Sequence, residues 1–464
     1  MPETTPPAAG SSQGTPGTPA PRKAGTAREA TLNFALDGVG AGGVPLAESR
    51  ALALAAYERL ALPAWRRSGF WTTTLEQLDI ESLEQLTHAE RDADAPAFLG
   101  GQDAAGILVQ RDSSVAHVQL NGELAQRGVI LCSLEEAAQN HPQLFERYYL
   151  RRLQIDRHKI EAASAAFWSG GAFLYVPPGL ELDDPFQIVY EISRGGTAQY
   201  AHTLAIVDRG SSIRLREYGL AGDTEGDTLH AGAFELYLED AARCRLAQVT
   251  DWGGGRVHDV STSVVEVARD AYCHWLPALL GGALIHHHDE IAVAGQGGDM
   301  AFRGLFFAQR DEHLDVFAVD LHETGPSGGD VHWRGAASGE SRASFEGLIK
   351  INQGAQQSHT YLQFHSMLLS ADAELDAIPS VLVGADDVSA SHGGTVGELD
   401  EDLIFYMQTR GLTRPQAVRV IVEGFFEPLI VQLDDPQLEQ LVRDRIGAKL
   451  AGAADEIERY ALAR

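Results

Sequence analysis

The sequence predicts a mainly β core held between two helical segments, on three observations. First, from about residue 170 to 400, short apolar runs recur between Gly, Asp, Ser and Asn, and polar residues alternate with apolar ones inside them. Ile213 and Leu215 alternate with Arg214 and Arg216, and Phe234, Leu236 and Leu238 with Glu235 and Tyr237. A period of two gives each strand one buried face. Second, no helix-length insert separates the runs, so there is no βαβ rhythm. Third, the flanking segments carry 3.6-residue stripes and helix caps. Roughly 230 residues of short strands must form a large sandwich, a barrel or a β-helix. With no strict repeat, the pattern alone leaves all three open.

In chain order, residues 1–35 read as a disordered tail. The first thirty hold six of the nineteen prolines with clustered Gly, Ser, Thr and Ala, and such a segment cannot bury enough surface to offset its ordering entropy. Residues 36–165 read as a helical region with a few strands. Leu52, Leu54, Tyr57, Leu60 and Leu62 approximate a helical stripe stopped near Pro63. Thr74-Leu-Glu-Gln, Ser82-Leu-Glu-Gln and Ser133-Leu-Glu-Glu each fit the capping-box template. Between the last two, Ile107 to Val109, Val115 to Leu120 and Val129 to Leu131 read as strands. Residues 166–400 are the β core. Residues 401–464 return to helix: Thr413-Arg-Pro-Gln is a capping box with proline in the first turn, where its missing N–H costs nothing. Ala417, Val418, Ile421, Val422, Phe425 and Phe426 follow as one apolar stripe, and a final helix begins near Pro436.

Composition narrows the function. The chain has 464 residues and a net charge of −29, which disfavours unassisted binding to nucleic acid or anionic lipid. No apolar run reaches membrane-spanning length and the N-terminus has no hydrophobic leader pattern. Cys132, Cys244 and Cys273 are dispersed, with no C-x-x-C pair. They form neither a disulfide framework nor a thiolate set able to hold a stable cluster alone. A soluble, reducing, cytoplasmic setting is expected. None of the four lysines follows a glycine, so there is no Walker loop. No G-x-S-x-G elbow or H-E-x-x-H helix occurs.

Among residues able to carry chemistry, His286, His287 and His288 form a tract in which the outer two would share a strand face. Chelation is conceivable there, but a polar solvent face is the expectation. Asp386 and Asp387 pair two carboxylates at a strand end, the arrangement a β-helix carbohydrate-active enzyme would use; solvated turn residues are the commoner explanation. His392 stands in Ser-His-Gly-Gly before the C-terminal helices. An imidazole there suits a borderline metal such as iron, and a hydrogen-bonded turn histidine is the bland alternative.

Several motifs, in order, resemble the SufB/SufD family of iron–sulfur cluster assembly scaffolds, from about residue 45 to 464. They are Leu62-Pro63 with Trp71 to Thr74, Gly128 to Ala137, Ala166 to Pro177 and Phe345-Glu-Gly347. The strongest block is Ala385-Asp-Asp-Val with Ser391 to Gly397, followed by Phe405-Tyr406 and Arg410-Gly-Leu412. The resemblance is to the SufD branch. The SufB branch implies a cysteine where Phe364 stands and another just before the segment holding Trp275, with Cys273 out of register. Ala390 stands where many of the SufD branch have cysteine. The resemblance implies a right-handed parallel β-helix core flanked by N- and C-terminal α-helical domains, and a non-catalytic scaffold. The implied partners are a SufB-like subunit and a SufC-like ATPase, with a homodimer when isolated. His392 becomes a ligand for transient iron or a nascent iron–sulfur cluster in the complex. Phe405, Tyr406, Arg410, Phe425 and Phe426 become the ATPase platform. No stable cluster is expected on the isolated chain.

Overall fold

The computed structural model describes residues 45–67, 71–85, 104–222, 225–253, 256–454 and 456–457. The tail expected at 1–35 lies outside the described residues.

From Ala172 onward the chain runs through sixteen strands, ending with Ser389–Glu398. Each pairs not with its sequence neighbour but with the strand two later, always in parallel, so successive strands alternate between two facing sheets. The result is a β-solenoid of about eight turns. This selects the β-helix from the three architectures that the alternation leaves open. A single column shows why no strict repeat is visible. Leu215, Leu246, Trp275, Phe302, Val331, Leu362 and His392 are successive pairing partners, spaced 31, 29, 27, 29, 31 and 30 residues apart. The corners absorb the difference while the strands keep register.

The interior of the solenoid is apolar along most of its length. Trp275 stacks on Phe302 at 4.5 Å between ring centroids, and Phe345 on Phe364 at 4.5 Å. Two inward glycines make room for such rings: a Cβ at Gly304 would lie 2.3 Å from Trp333, and one at Gly335 would lie 2.2 Å from Phe306. Replacing either by alanine forces a core ring off its rotamer.

Both sheets carry a second apolar layer on their outer faces. The N-terminal helices cover one: Phe145, Tyr149 and Ile160 pack with Tyr200, Leu204, Leu229, Val260 and Val264. The C-terminal helices cover the other: Val418, Val422, Phe426, Leu438, Val442 and Ile446 pack with Val189, Tyr218, Val249, Leu305 and Phe307. Strands buried on both faces are what a parallel sheet requires.

The helix expected from the stripe Leu52 to Leu62 forms as Leu46–Arg59, but its buried face is Ser49, Ala53 and Ala56 rather than the leucines. Leu52 and Leu54 are exposed. The small residues let it approach the alanine-rich helix Lys159–Phe167. The other two N-terminal capping-box matches are not helix starts. Thr74 ends the antiparallel pair Ala64–Arg67 and Trp71–Thr74, and Ser82 closes a 3-10 turn before a two-residue strand. Neither is followed by a sustained apolar stripe, so the cap has no helix to start. Ser133 and Thr413 do form capping boxes, for the helices Leu134–Asn140 and Arg414–Ile430. No helix among the described residues is long and apolar enough to cross a membrane.

Candidate functional site at the open end of the solenoid

The two ends of the solenoid differ. At the N-terminal end, the strand Gly106–Arg111 pairs with Glu181–Ile192, and Ser114–Leu120 and Ile130–Cys132 add antiparallel edges. At the C-terminal end, Glu374–Val383 and Ser389–Glu398 have no further strand beyond them among the described residues. Leu382, Val383 and Val396 are each about 45% exposed there. Open strand edges with apolar neighbours are a surface that proteins cover.

His392 belongs to this last rung. It lies in a strand, not in the glycine turn expected of it. The corner before it stacks on the corner below: Gln356 Oε1 accepts from Asp387 N at 2.9 Å, and Ser358 O accepts from Ser389 N at 3.0 Å. After the strand, the Asp400 side chain caps the helix Glu401–Thr409, accepting from Leu403 N at 3.0 Å, which turns the chain away. His392 pairs with Leu362 at the end of the core column, so its position is an inward one. It is exposed because no rung follows. Its imidazole has no hydrogen-bond partner among the described residues, and its inward neighbour toward the corner is Ala390. Among the described residues no group of three or more His, Cys, Asp or Glu is placed to hold a metal ion. His392 offers one ligand nitrogen, and a closed coordination sphere needs donors from elsewhere.

None of the three thiols is poised to help. Burial, with the Glu136 carboxylate beside it, pushes Cys132 up to about 12. Cys244 and Cys273 are buried cross-rung partners whose thiols are driven further up by burial. A thiol held protonated is a poor ligand and nucleophile. Phe364 is buried in the aromatic stack. Asp386 and Asp387 are exposed at the corner beyond Val383, where the turn reading placed them.

The platform residues divide. Phe405 is 67% and Tyr406 54% exposed on the helix Glu401–Thr409. Arg410 lies 5.1 Å over the Tyr406 ring and donates to its hydroxyl at 3.1 Å. Phe425 is half-buried, whereas Phe426 is fully buried and stacks on Phe307. Phe426 therefore supports the helix from beneath and presents no surface of its own.

The histidine tract overturns its expectation. His286, His287 and His288 are all buried, at 2%, 7% and 8% exposure. His286 stacks on Trp65 at 3.6 Å and meets Asp315 at 3.2 Å. His288 lies beside Arg157 at 3.0 Å. His287 points inward, where Asp259 and Asp289 hold it protonated, raised to about 10 despite its burial. Asp289 and Glu290 sit beside the tract in the sequence, whereas Asp259 and Asp315 lie about thirty residues away and meet it only through rung stacking, which no linear pattern displays.

His287 and Asp259 border a polar chamber inside the solenoid, of about 40 Å³, lined also by Glu217, His230, Gln248, Ser261 and Trp252. That is room for water. Thr203 and Gln248 donate to the two oxygens of Glu217. Burial nevertheless pushes its carboxyl up to about 7. This cluster was legible in one respect: Glu217 continues the inward series Ile213, Leu215.

Comparison with known proteins places these features. Residues 190–425 match the model described as "SUF system FeS cluster assembly, SufBD core domain", and residues 103–188 match "SufBD protein N-terminal region". The iron–sulfur cluster assembly protein SufD of Bacillus subtilis is 28% identical over 380 residues, covering 81% of this chain and 85% of that protein. An iron–sulfur cluster assembly SufBD family protein of Staphylococcus aureus is 25% identical over 329 residues, covering 71% and 70%. With its core model matched over half the chain and its uncovered terminal rung within that match, the chain belongs to the SufBD family of iron–sulfur cluster assembly proteins and is SufD-like.

Proposed function

We propose that this chain is a non-catalytic scaffold subunit, which pairs end to end with a SufB-like chain and carries a SufC-like ATPase. The observation that carries this reading is the C-terminal rung, which among the described residues is uncovered and holds one imidazole without a partner. A partner whose own strands cover that rung satisfies the open edges. It also brings the further donors that a transient iron or nascent iron–sulfur cluster requires. His392 is then one ligand among several from two chains, and iron or the cluster is cargo rather than a resident cofactor. ATP hydrolysis resides in the ATPase, since this chain has no phosphate-binding loop. The setting is cytoplasmic. The chain divides into a tail (1–35), an N-terminal region (36–165), the solenoid (166–400) and the C-terminal helical domain (401–464). Without its partner, the same rung favours a homodimer.

The test is capture from cells with an affinity tag on this chain. SufB-like and SufC-like chains are expected to co-purify in defined ratio, and a monodisperse chain without them overturns the reading.

Phe405 and Tyr406 are the exposed apolar part of the ATPase platform. Phe405→Ala with Tyr406→Ala is expected to weaken capture of the ATPase at least tenfold. Stability should change by no more than about 0.5 kcal/mol, as for exposed positions. Calorimetric titration and thermal melts measure both, and unchanged affinity moves the platform elsewhere. Removing residues 401–464 outright is a poor test, because it strips the apolar outer face at Val189, Tyr218, Val249, Leu305 and Phe307.

A further inference from the structure

The outer face of the last three rungs carries one arginine with two histidines beside it in an otherwise acidic protein. Arg334, His365 and Thr395 are successive pairing partners, so their side chains rise from the same face in one row. His332 stands two residues before Arg334 on that face, with its ring centroid 5.7 Å from that of His365. His365 Nδ1 lies 2.7 Å from Thr395 Oγ1. Arg334 donates to the carbonyl of Phe425, and its guanidinium carbon lies 5.2 Å from the centre of that ring.

No carboxylate among the described residues pairs with Arg334. Asp330 on the same strand is engaged by Arg303, and Glu423 and Glu427 on the helix that carries Phe425 are engaged by Arg419 and Arg443. Arg334 is half-buried, and its Nε has no acceptor. His332 Nε2 is likewise buried without a partner. Burying a cation without a counter-charge is costly, and here it happens in a chain with 65 acidic residues against 36 basic ones.

We infer that Arg334, flanked by His332 and His365, is the docking point for an acidic side chain of the subunit that covers the terminal rung. Charge complementarity supplies the first argument, since an uncompensated guanidinium is completed by a carboxylate in bidentate geometry. Continuity supplies the second, because Thr395 of the row lies on the same strand as His392. The inference rests on the end-to-end pairing proposed above.

Two arms separate that pairing from this contact. In the first, affinity for the SufB-like chain is measured at about 50 and 300 mM NaCl. Arg334→Gln is expected to weaken binding about tenfold at low salt and to flatten the salt dependence, with Arg334→Lys recovering part of the loss. Equal binding by wild type and Arg334→Gln overturns the contact, as does an equal loss at both salts. If the wild type itself does not bind, the pairing fails and the second arm decides the contact. There, a glutamate-rich peptide is titrated into the isolated chain while the imidazole resonances of His332 and His365 are followed. Shifts in the wild type that vanish in Arg334→Gln support an acidic partner, and their absence in the wild type overturns it. Thermal stability of Arg334→Gln is expected to equal or exceed that of the wild type; a marked loss would make Arg334 a structural residue instead.

Discussion

His392→Ala is expected to stop cluster assembly on the reconstituted complex while leaving the complex intact. The imidazole is exposed, has no partner among the described residues and fills no core volume, so its loss costs about 0.5 kcal/mol or less of stability. A coordination sphere that loses one of its ligands loses far more than that. Activity in cluster assembly, or rescue of cluster-dependent growth, is expected to fall at least a hundredfold, comparable to or beyond the loss seen when outer-shell partners of a metal site are removed. His392→Cys keeps part of the function, since a thiolate also binds iron. Size-exclusion chromatography of each variant with its partners provides the control. Full assembly by His392→Ala sinks the ligand role, and dissociation of the complex recasts the residue as an interface contact. The buried tract serves as contrast. His287→Ala removes the cation between Asp259 and Asp289, and is expected to cost about 3 kcal/mol or more through the uncompensated carboxylates it leaves.

Glu217→Gln makes the protein more stable at pH 8 and changes little at pH 4.5. The Glu217 carboxyl faces the interior chamber, and burial raises it to about 7 from an ordinary value of 4.5. Below the unfolded value both states carry the proton, and the group places no pH-dependent burden on the fold. As pH rises from about 4.5 to 7, the unfolded chain releases its proton while the folded chain retains it, so stability falls across that window and levels off above it. The full shift corresponds to about 3 kcal/mol, and local relaxation around the buried group discounts it to about 2 kcal/mol. Glutamine keeps an acceptor for Thr203 or Gln248 and removes the ionisation. Denaturant unfolding of both proteins at pH 4.5, 6 and 8 isolates the chamber, because groups that do not interact with Glu217 cancel in the difference. A difference that does not grow with pH contradicts the buried-carboxylate account.

Where the sequence and the structure part company, the cause is usually stacking. Thr74 and Ser82 carry the local chemistry of a helix start, yet strand pairing claims Thr74 and no apolar stripe follows Ser82. Capping residues start a helix only when there is a face to bury. The stripe of leucines near residue 52 has helical spacing, but the helix turns its small residues to its neighbour because close approach buries more of both. His392 was singled out by residue type and neighbourhood, while its glycine-rich surroundings disguised a strand as a turn. His286 to His288 looked solvated because a run of histidines is polar by composition, and two of their acid partners, Asp259 and Asp315, sit a rung away.

By itself the sequence determined the alternation of inward and outward positions along the strands, though not that both faces are buried, as at Glu235 and Tyr237, together with the caps at Ser133 and Thr413, the helical flanks, and the absence of clustered thiols and phosphate loops. All of these depend on residues within a few positions of one another. Only the tertiary structure decided which β architecture the alternation serves, because sandwich, barrel and solenoid share a period of two and differ in which strands pair. It alone decided that the histidine tract and Glu217 are interior, that Phe426 is core, and that His392 ends a column left open on one side. Glu217 and His392 depend on what lies one rung, or about thirty residues, away, and corners of unequal length hide that distance; Phe426 and the histidine tract depend on more distant elements packed over the sheets, Phe307 against the one and Trp65 and Arg157 against the other.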